Sequence, residues 1–163
     1  MADRDLTTTT FADFNATVPP WGNAGNGFGE STVLKFHIDV DEIATTGGYT
    51  VGSTDVLHLW DIPIGTEIRK VLAIVRTAAT DTTSTIAIGD TDSAACYAAA
   101  TALSAADVCI GSAVTTDAYA IVGGRLYSAT NILHVTFATA APAGAVFDLY
   151  VYATMINPGE SGL

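Results

Sequence analysis

From Thr32 the chain alternates between apolar and polar positions. Leu34, Phe36, Ile38 and Val40 fall on one side and Lys35, His37 and Asp39 on the other, the period-two pattern of a half-buried strand. Gly47-Gly48 predicts a turn before a short strand at Tyr49-Thr50-Val51. Further strands are predicted at about 55–62, ended by Pro63-Ile64-Gly65, and at 67–77, rich in β-branched residues. Others follow at 84–88, 108–110 and 117–122. Residues 93–106 are mostly alanine with few β-branched residues, which predicts a long loop with one helical turn near Tyr97–Thr101. The segments 131–138 and 145–153 flank Ala141-Pro142-Ala143-Gly144 and read as a β-hairpin. About eight strands and no long amphipathic helix predict an all-β fold, an antiparallel β-sandwich, jelly-roll-like in the loose sense.

Residues 1–31 break this rhythm. Four consecutive threonines begin at Thr7, and Pro19, Pro20 and several glycines follow, so an irregular N-terminal arm is expected ahead of a β-sandwich domain at 32–163. A disordered linker is poor in aromatic residues, yet this arm holds Phe11, Phe14, Trp21 and Phe28. They are the candidate anchors by which the arm lies on its own domain or on a neighbour.

Composition narrows the function. Hydrophobic residues make up 49% of the 163 residues and charged residues 14%, against about 25% charged in an average domain. Depletion of Lys and Glu is a property of interface cores, which points to a homo-oligomer, with a trimer the expected form. Six Lys and Arg against 17 Asp and Glu give a formal charge of −11, which argues against nucleic-acid and anionic-membrane partners. No apolar run is long enough for a membrane span. The first residues lack a basic, then apolar, signal pattern, which predicts no secretory leader, so Asn15-Ala16-Thr17 reads as a chance glycosylation match. Cys96 and Cys109 form no Cys-x-x-Cys pair; a disulfide between them is geometrically open, but two free, buried thiols are expected of a protein made in a reducing cytoplasm.

Candidate chemistry is sparse. His37, His58 and His134 lie in separate predicted strands without metal-ligand spacing. Asp39, Asp41 and Glu42 cluster at a strand end, and Asp90 and Asp92 lie in a Gly-Asp-Thr-Asp turn. The second is the weak calcium candidate, although neither has the full ligand set of a calcium loop and Asp is also a common turn residue. No nucleophile elbow, phosphate-binding glycine loop or paired acid–base motif appears, so neither an enzyme nor a cofactor is expected. Trp60 reads as a core residue. Tyr150 and Tyr152 share one face of the last strand, opposite Leu149 and Val151, as candidate interface residues.

The run Ile86-Ala87-Ile88-Gly89-Asp90-Thr91-Asp92, the alanine-rich segment after it, and the closing passage from Ile132 through Ala141-Pro142-Ala143-Gly144 to Phe147-Asp148-Leu149-Tyr150-Val151-Tyr152 resemble small β-sandwich structural proteins of tailed bacteriophages, especially head decoration (cement) proteins. The resemblance covers roughly residues 55–156 and rests on turn glycines and alternating strands. It implies a symmetric oligomer on the capsid exterior that binds the major capsid protein and stabilises the shell. A carbohydrate- or receptor-binding module of a tail fibre is the alternative, and a secreted β-sandwich enzyme the third possibility.

Overall fold

The computed structural model describes residues 3–5, 31–111 and 124–155. They form ten strands and one helix: β1 (Asp3–Asp5), β2 (Ser31–Asp39), α1 (Val40–Gly47), β3 (Val56–Ile62), β4 (Thr66–Thr77), β5 (Thr85–Asp90), β6 (Ala98–Ala102), β7 (Cys109–Gly111), β8 (Arg125–Leu126), β9 (Asn131–Ala138) and β10 (Val146–Met155). One sheet has the order β1-β3-β9-β5-β6 and the other β2-β10-β4-β7, with β8 added beside β4. Pairing is antiparallel except where β1 runs parallel to β3. The fold is an all-β sandwich, as the alternation predicts.

The alternating apolar positions meet between the sheets. Phe36 and Ile38 of β2 and Phe147, Leu149 and Val151 of β10 are buried, as are Leu133, Val135 and Phe137 of β9. The rings of Phe137 and Phe147 meet edge to face with centroids 6.4 Å apart, one from each sheet. Trp60 is only half buried; it packs against the core margin rather than inside it.

The structure corrects several expectations. β9 and β10 do not form a hairpin: β9 lies between β3 and β5, and β10 between β2 and β4 in the other sheet. The connection through Ala141–Gly144 therefore crosses the sandwich, and both edges of each strand are already paired. Val40 does not extend β2 but begins α1. Asp39 caps this helix, its Oδ1 accepting from the N–H groups of Asp41 (3.0 Å) and Glu42 (3.1 Å). Gly48 ends it with φ +64°, a left-handed conformation that favours glycine. No strand forms at 49–51; that stretch is a loop held by Asp55, which accepts from the Tyr49 hydroxyl and from Gly52 N–H at 2.7 Å.

The predicted alanine-rich loop contains β6, paired to β5 without a helical turn. Sheet pairing overrides the helix propensity of alanine there. Gly89 permits the tight return before β6, because a Cβ at that position would lie 2.1 Å from the Ser93 carbonyl oxygen. The start of the predicted irregular arm is the edge strand β1, whereas the strand expected at 117–122 lies outside the described residues.

Candidate assembly surface

The outer face of the β2-β10-β4 sheet gathers most of the outward chemistry of the domain. Alternation sends Lys35 and His37 of β2, Asp148, Tyr150 and Tyr152 of β10, and Lys70 and Arg76 of β4 away from the core. The register sets Asp148 opposite His37, Tyr150 opposite Lys35, and Tyr152 opposite Lys70. Asp148 is buried although it faces outward, because the side chains of Lys35, His37 and Arg76 close over it. Lys35 Nζ lies 3.2 Å from its carboxylate, Arg76 Nε 2.9 Å and His37 Nδ1 2.8 Å. Burial alone would push the Asp148 pKa up, but the hydrogen bonds from His37, Arg76 and Lys35 outweigh it and hold the carboxyl below its ordinary value.

The two predicted tyrosines flank this hub. Lys35 Nζ sits 5.8 Å from the Tyr150 ring centroid, and Lys70 Nζ is at the same distance over Tyr152. Tyr150 is half buried, whereas Tyr152 is 37% exposed beside Val33, which is 50% exposed. Leu72 and Ile74 of β4 stand opposite Tyr150 and Asp148 and are half buried. The result is a Tyr, Val, Leu and Ile patch with a cationic margin. Sequence reasoning found the tyrosines by alternation. It missed the role of Asp148, because the approach of Lys35, His37 and Arg76 comes from the sheet pairing.

The Asp90 turn is not an open calcium loop. Asp90 is 0% exposed, and its Oδ1 accepts from the N–H groups of Asp92 and Ser93, each at 3.0 Å. Its Oδ2 accepts from the Tyr127 hydroxyl at 2.6 Å and from the Arg125 guanidinium, which also pairs with Asp92. Asn131 Nδ2 donates to Asp92 at 2.9 Å. Arg125 therefore occupies the cationic position between the two carboxylates of this turn. Burial works against the guanidinium charge, but Tyr127 and Asp90 hold the Arg125 pKa above its ordinary value. Asp90 ends β5 and Arg125 lies in β8 beside β4, so this clasp ties one sheet to the other.

The remaining candidates are dispersed. His58 and His134 face each other across β3 and β9 with ring centroids 6.2 Å apart, but His37 belongs to the other sheet. Among the described residues no group of three His, Cys, Asp or Glu is placed to hold a metal. Asp39 and Asp41 are engaged at the start of α1, Asp41 accepting from Gly144 N–H at 3.0 Å. Both cysteines are free, but not buried as expected: Cys109 is exposed on β7 and Cys96 is half-buried, its partial burial and the nearby Asp90 charge pushing its thiol up to about 12. Phe11, Phe14, Trp21 and Phe28 lie outside the described residues.

No protein-family description matches the chain, and no curated protein matches it significantly. Three solved phage capsid structures contain chains of similar fold. The acid-stable capsid of Helicobacter pylori bacteriophage KHP30 matches with a TM-score of 0.57 at 14% identity, covering 80% of this chain and 92% of that one. The capsid asymmetric unit of cyanophage Pam1 matches with a TM-score of 0.54 at 14% identity, over 83% of this chain and 91% of that one. The capsid of Ralstonia phage GP4 gives 0.52 at 15% identity, over 83% and 90%. The fold is thus one shared with chains of bacteriophage capsids.

Proposed function

We propose that this chain is a structural protein of a bacteriophage virion, a decoration protein that binds the outside of the capsid, contacts the major capsid protein and stabilises the shell. The observation that carries the reading is the fold match, which takes in nine-tenths or more of each of three capsid chains. A match of that extent pairs this domain with a whole small subunit rather than with a fragment of a large one. The low charge content and the tyrosine patch are consistent with a protein that works through contact. Weak contacts repeated over a lattice give avidity without a deep pocket, and symmetry favours a closed oligomer, here a homotrimer.

The stretch of the predicted arm between β1 and β2 has the role of an anchor in this reading. Burying one large apolar side chain is worth roughly 1.5–3 kcal/mol, so Phe14 and Trp21, helped by Phe11 and Phe28, would hold the segment against a neighbouring subunit or the shell. Pro19-Pro20 would reduce the entropy lost on docking.

The test is to bind purified chain to capsids lacking it, collect the particles by sedimentation and locate the chain by immunogold labelling. Bound chain should label intact particles and raise their melting temperature. A chain lacking residues 1–28 should fold yet bind much more weakly. Retention on a glycan resin with no particle binding would instead support a receptor-binding module.

A further inference from the structure

We propose that the Lys35–Lys70–Arg76 face of the β2-β10-β4 sheet is a docking surface for the acidic end of a second copy of this chain. The inference deepens the structural-subunit reading and rests on it for the purpose of the contact.

Charge is distributed unevenly over the molecule. Half of the six Lys and Arg residues of the chain stand in this single patch, together with His37. Its central carboxylate, Asp148, is buried and already shared among Lys35, His37 and Arg76. Among the described residues no carboxylate pairs with Lys70, whose ammonium lies over the Tyr152 ring. The patch is therefore a cationic, tyrosine-bearing surface on a chain whose formal charge is −11. Tyr and Arg are the residue types that concentrate in interface hot spots.

The complementary surface lies at one end of the sandwich. Asp41 reaches Gly144, and Thr80 N–H bonds to the Ala143 carbonyl at 2.9 Å, which brings the start of α1, the β4–β5 turn and the β9–β10 crossing together. Asp107 N–H bonds to the Val75 carbonyl at 2.8 Å and so reaches the same end of β4. Asp41, Asp81 and Asp107 are all exposed there. Beside them opens a shallow recess of about 550 Å³ lined by Thr80, Asp81, Thr82, Ala141 and Ala143. An acidic rim around small side chains is complementary in charge to a Lys-bearing surface.

The basic patch covers the outer face of the sheet, and the acidic cluster sits on the start of α1 and the loops at the end of that sheet nearest Arg76, so the two adjoin without overlapping. A contact between them is heterologous, head to tail, and closes into a ring when the rotation between copies permits. Like charges oppose patch-to-patch and end-to-end pairing, so the same distribution selects the orientation.

The experiment is sedimentation velocity of the purified full chain from 1 to 100 µM in low and high salt. Self-association should weaken at least tenfold on going from about 50 to 500 mM NaCl, as screening of exposed charges requires. A face variant, Lys70→Glu with Tyr152→Ala, and an end variant, Asp41→Asn with Asp81→Asn, should each associate at least tenfold more weakly while melting as cooperatively as the parent. Mixed together, they should form a one-to-one pair, because each retains the surface the other has lost. A parent chain that stays monomeric throughout, variants that associate as the parent does, or a mixture that fails to complement would overturn the proposal. So would a monomer whose patch captures DNA or another acidic macromolecule. Capsid binding is read separately: a monomer that still coats capsids refutes this contact alone, whereas an oligomer that ignores capsids refutes the decoration reading alone.

Discussion

Replacing Arg125 by methionine removes the countercharge from a carboxylate that has no access to water. Asp90 would keep the N–H groups of Asp92 and Ser93 and the Tyr127 hydroxyl, three neutral donors around one buried negative charge. Breaking one side of a buried ion pair costs about 3–5 kcal/mol. The remaining donors, and the 12% exposure of the Arg125 side chain, place this case near the lower end. For a chain of this size about 3 kcal/mol lowers the melting temperature by roughly 6–12 °C. Calorimetry and urea unfolding at pH 7 measure it. The double variant Asp90→Asn, Arg125→Met should recover at least half of the loss, because it removes the stranded charge as well as its partner. The parent should melt at the same temperature with calcium or with EDTA. A loss below about 1 kcal/mol, or a double variant as unstable as the sum of the singles, would refute the clasp as the tie between the sheets. A melt that moves with calcium would show that the turn holds a metal.

Two further outcomes follow from the same geometry. Cys109 should react rapidly with a thiol reagent near neutral pH, and Cys96, half-buried with its pKa pushed up to about 12, should react much more slowly until the chain unfolds; equal rates in the native protein would contradict its shielding. Asp148→Asn should cost about 1–2 kcal/mol at pH 7, since Lys35, Arg76 and His37 around the carboxylate are themselves partly exposed. The folded pKa of Asp148 lies below its unfolded value, so this stabilisation is complete above about pH 4 and disappears as pH falls through the folded value. Urea titrations of both proteins from pH 7 to pH 2 should therefore converge at the acid end, and parallel curves would rule out the linkage.

The legible part of this fold is the part set by local alternation. Phe36 and Ile38, or Leu149 and Val151, declare their buried side by period two, and Tyr150 and Tyr152 are outward for the same reason. Strand partners are not local. Residues 131–153 have the pattern of a hairpin, but β9 and β10 each find two other neighbours, and the choice among partners depends on the whole sandwich. Asp39 and Glu42 stand at capping-box spacing, a signal that reveals α1 once it is weighed against the preceding strand pattern. The Asp90–Arg125 clasp joins residues 35 apart from different sheets, and nothing near either one announces the other. In β6, alanine content points away from the strand that sheet pairing imposes.

The burial of Asp148 bears on how the proposed docking face is built. A cationic patch meant only for solubility has no need of a carboxylate beneath it, and Asp148 lowers the net charge of the patch. Its effect is to hold Lys35, His37 and Arg76 in one arrangement, with the Tyr150 ring beneath the Lys35 ammonium. Long cationic side chains lose rotamer freedom when a partner immobilises them, at roughly 0.5–1.5 kcal/mol each. Ordering them within the monomer moves that cost into folding, where the buried carboxylate offsets it. A subunit that must form the same weak contact many times gains from a surface ordered in advance. Asp148→Asn is thus expected to loosen self-association at neutral pH, by several-fold rather than completely, while the tyrosines and Lys70 remain in place. A variant that associates as tightly as the parent in the same sedimentation assay would show that Asp148 serves stability alone.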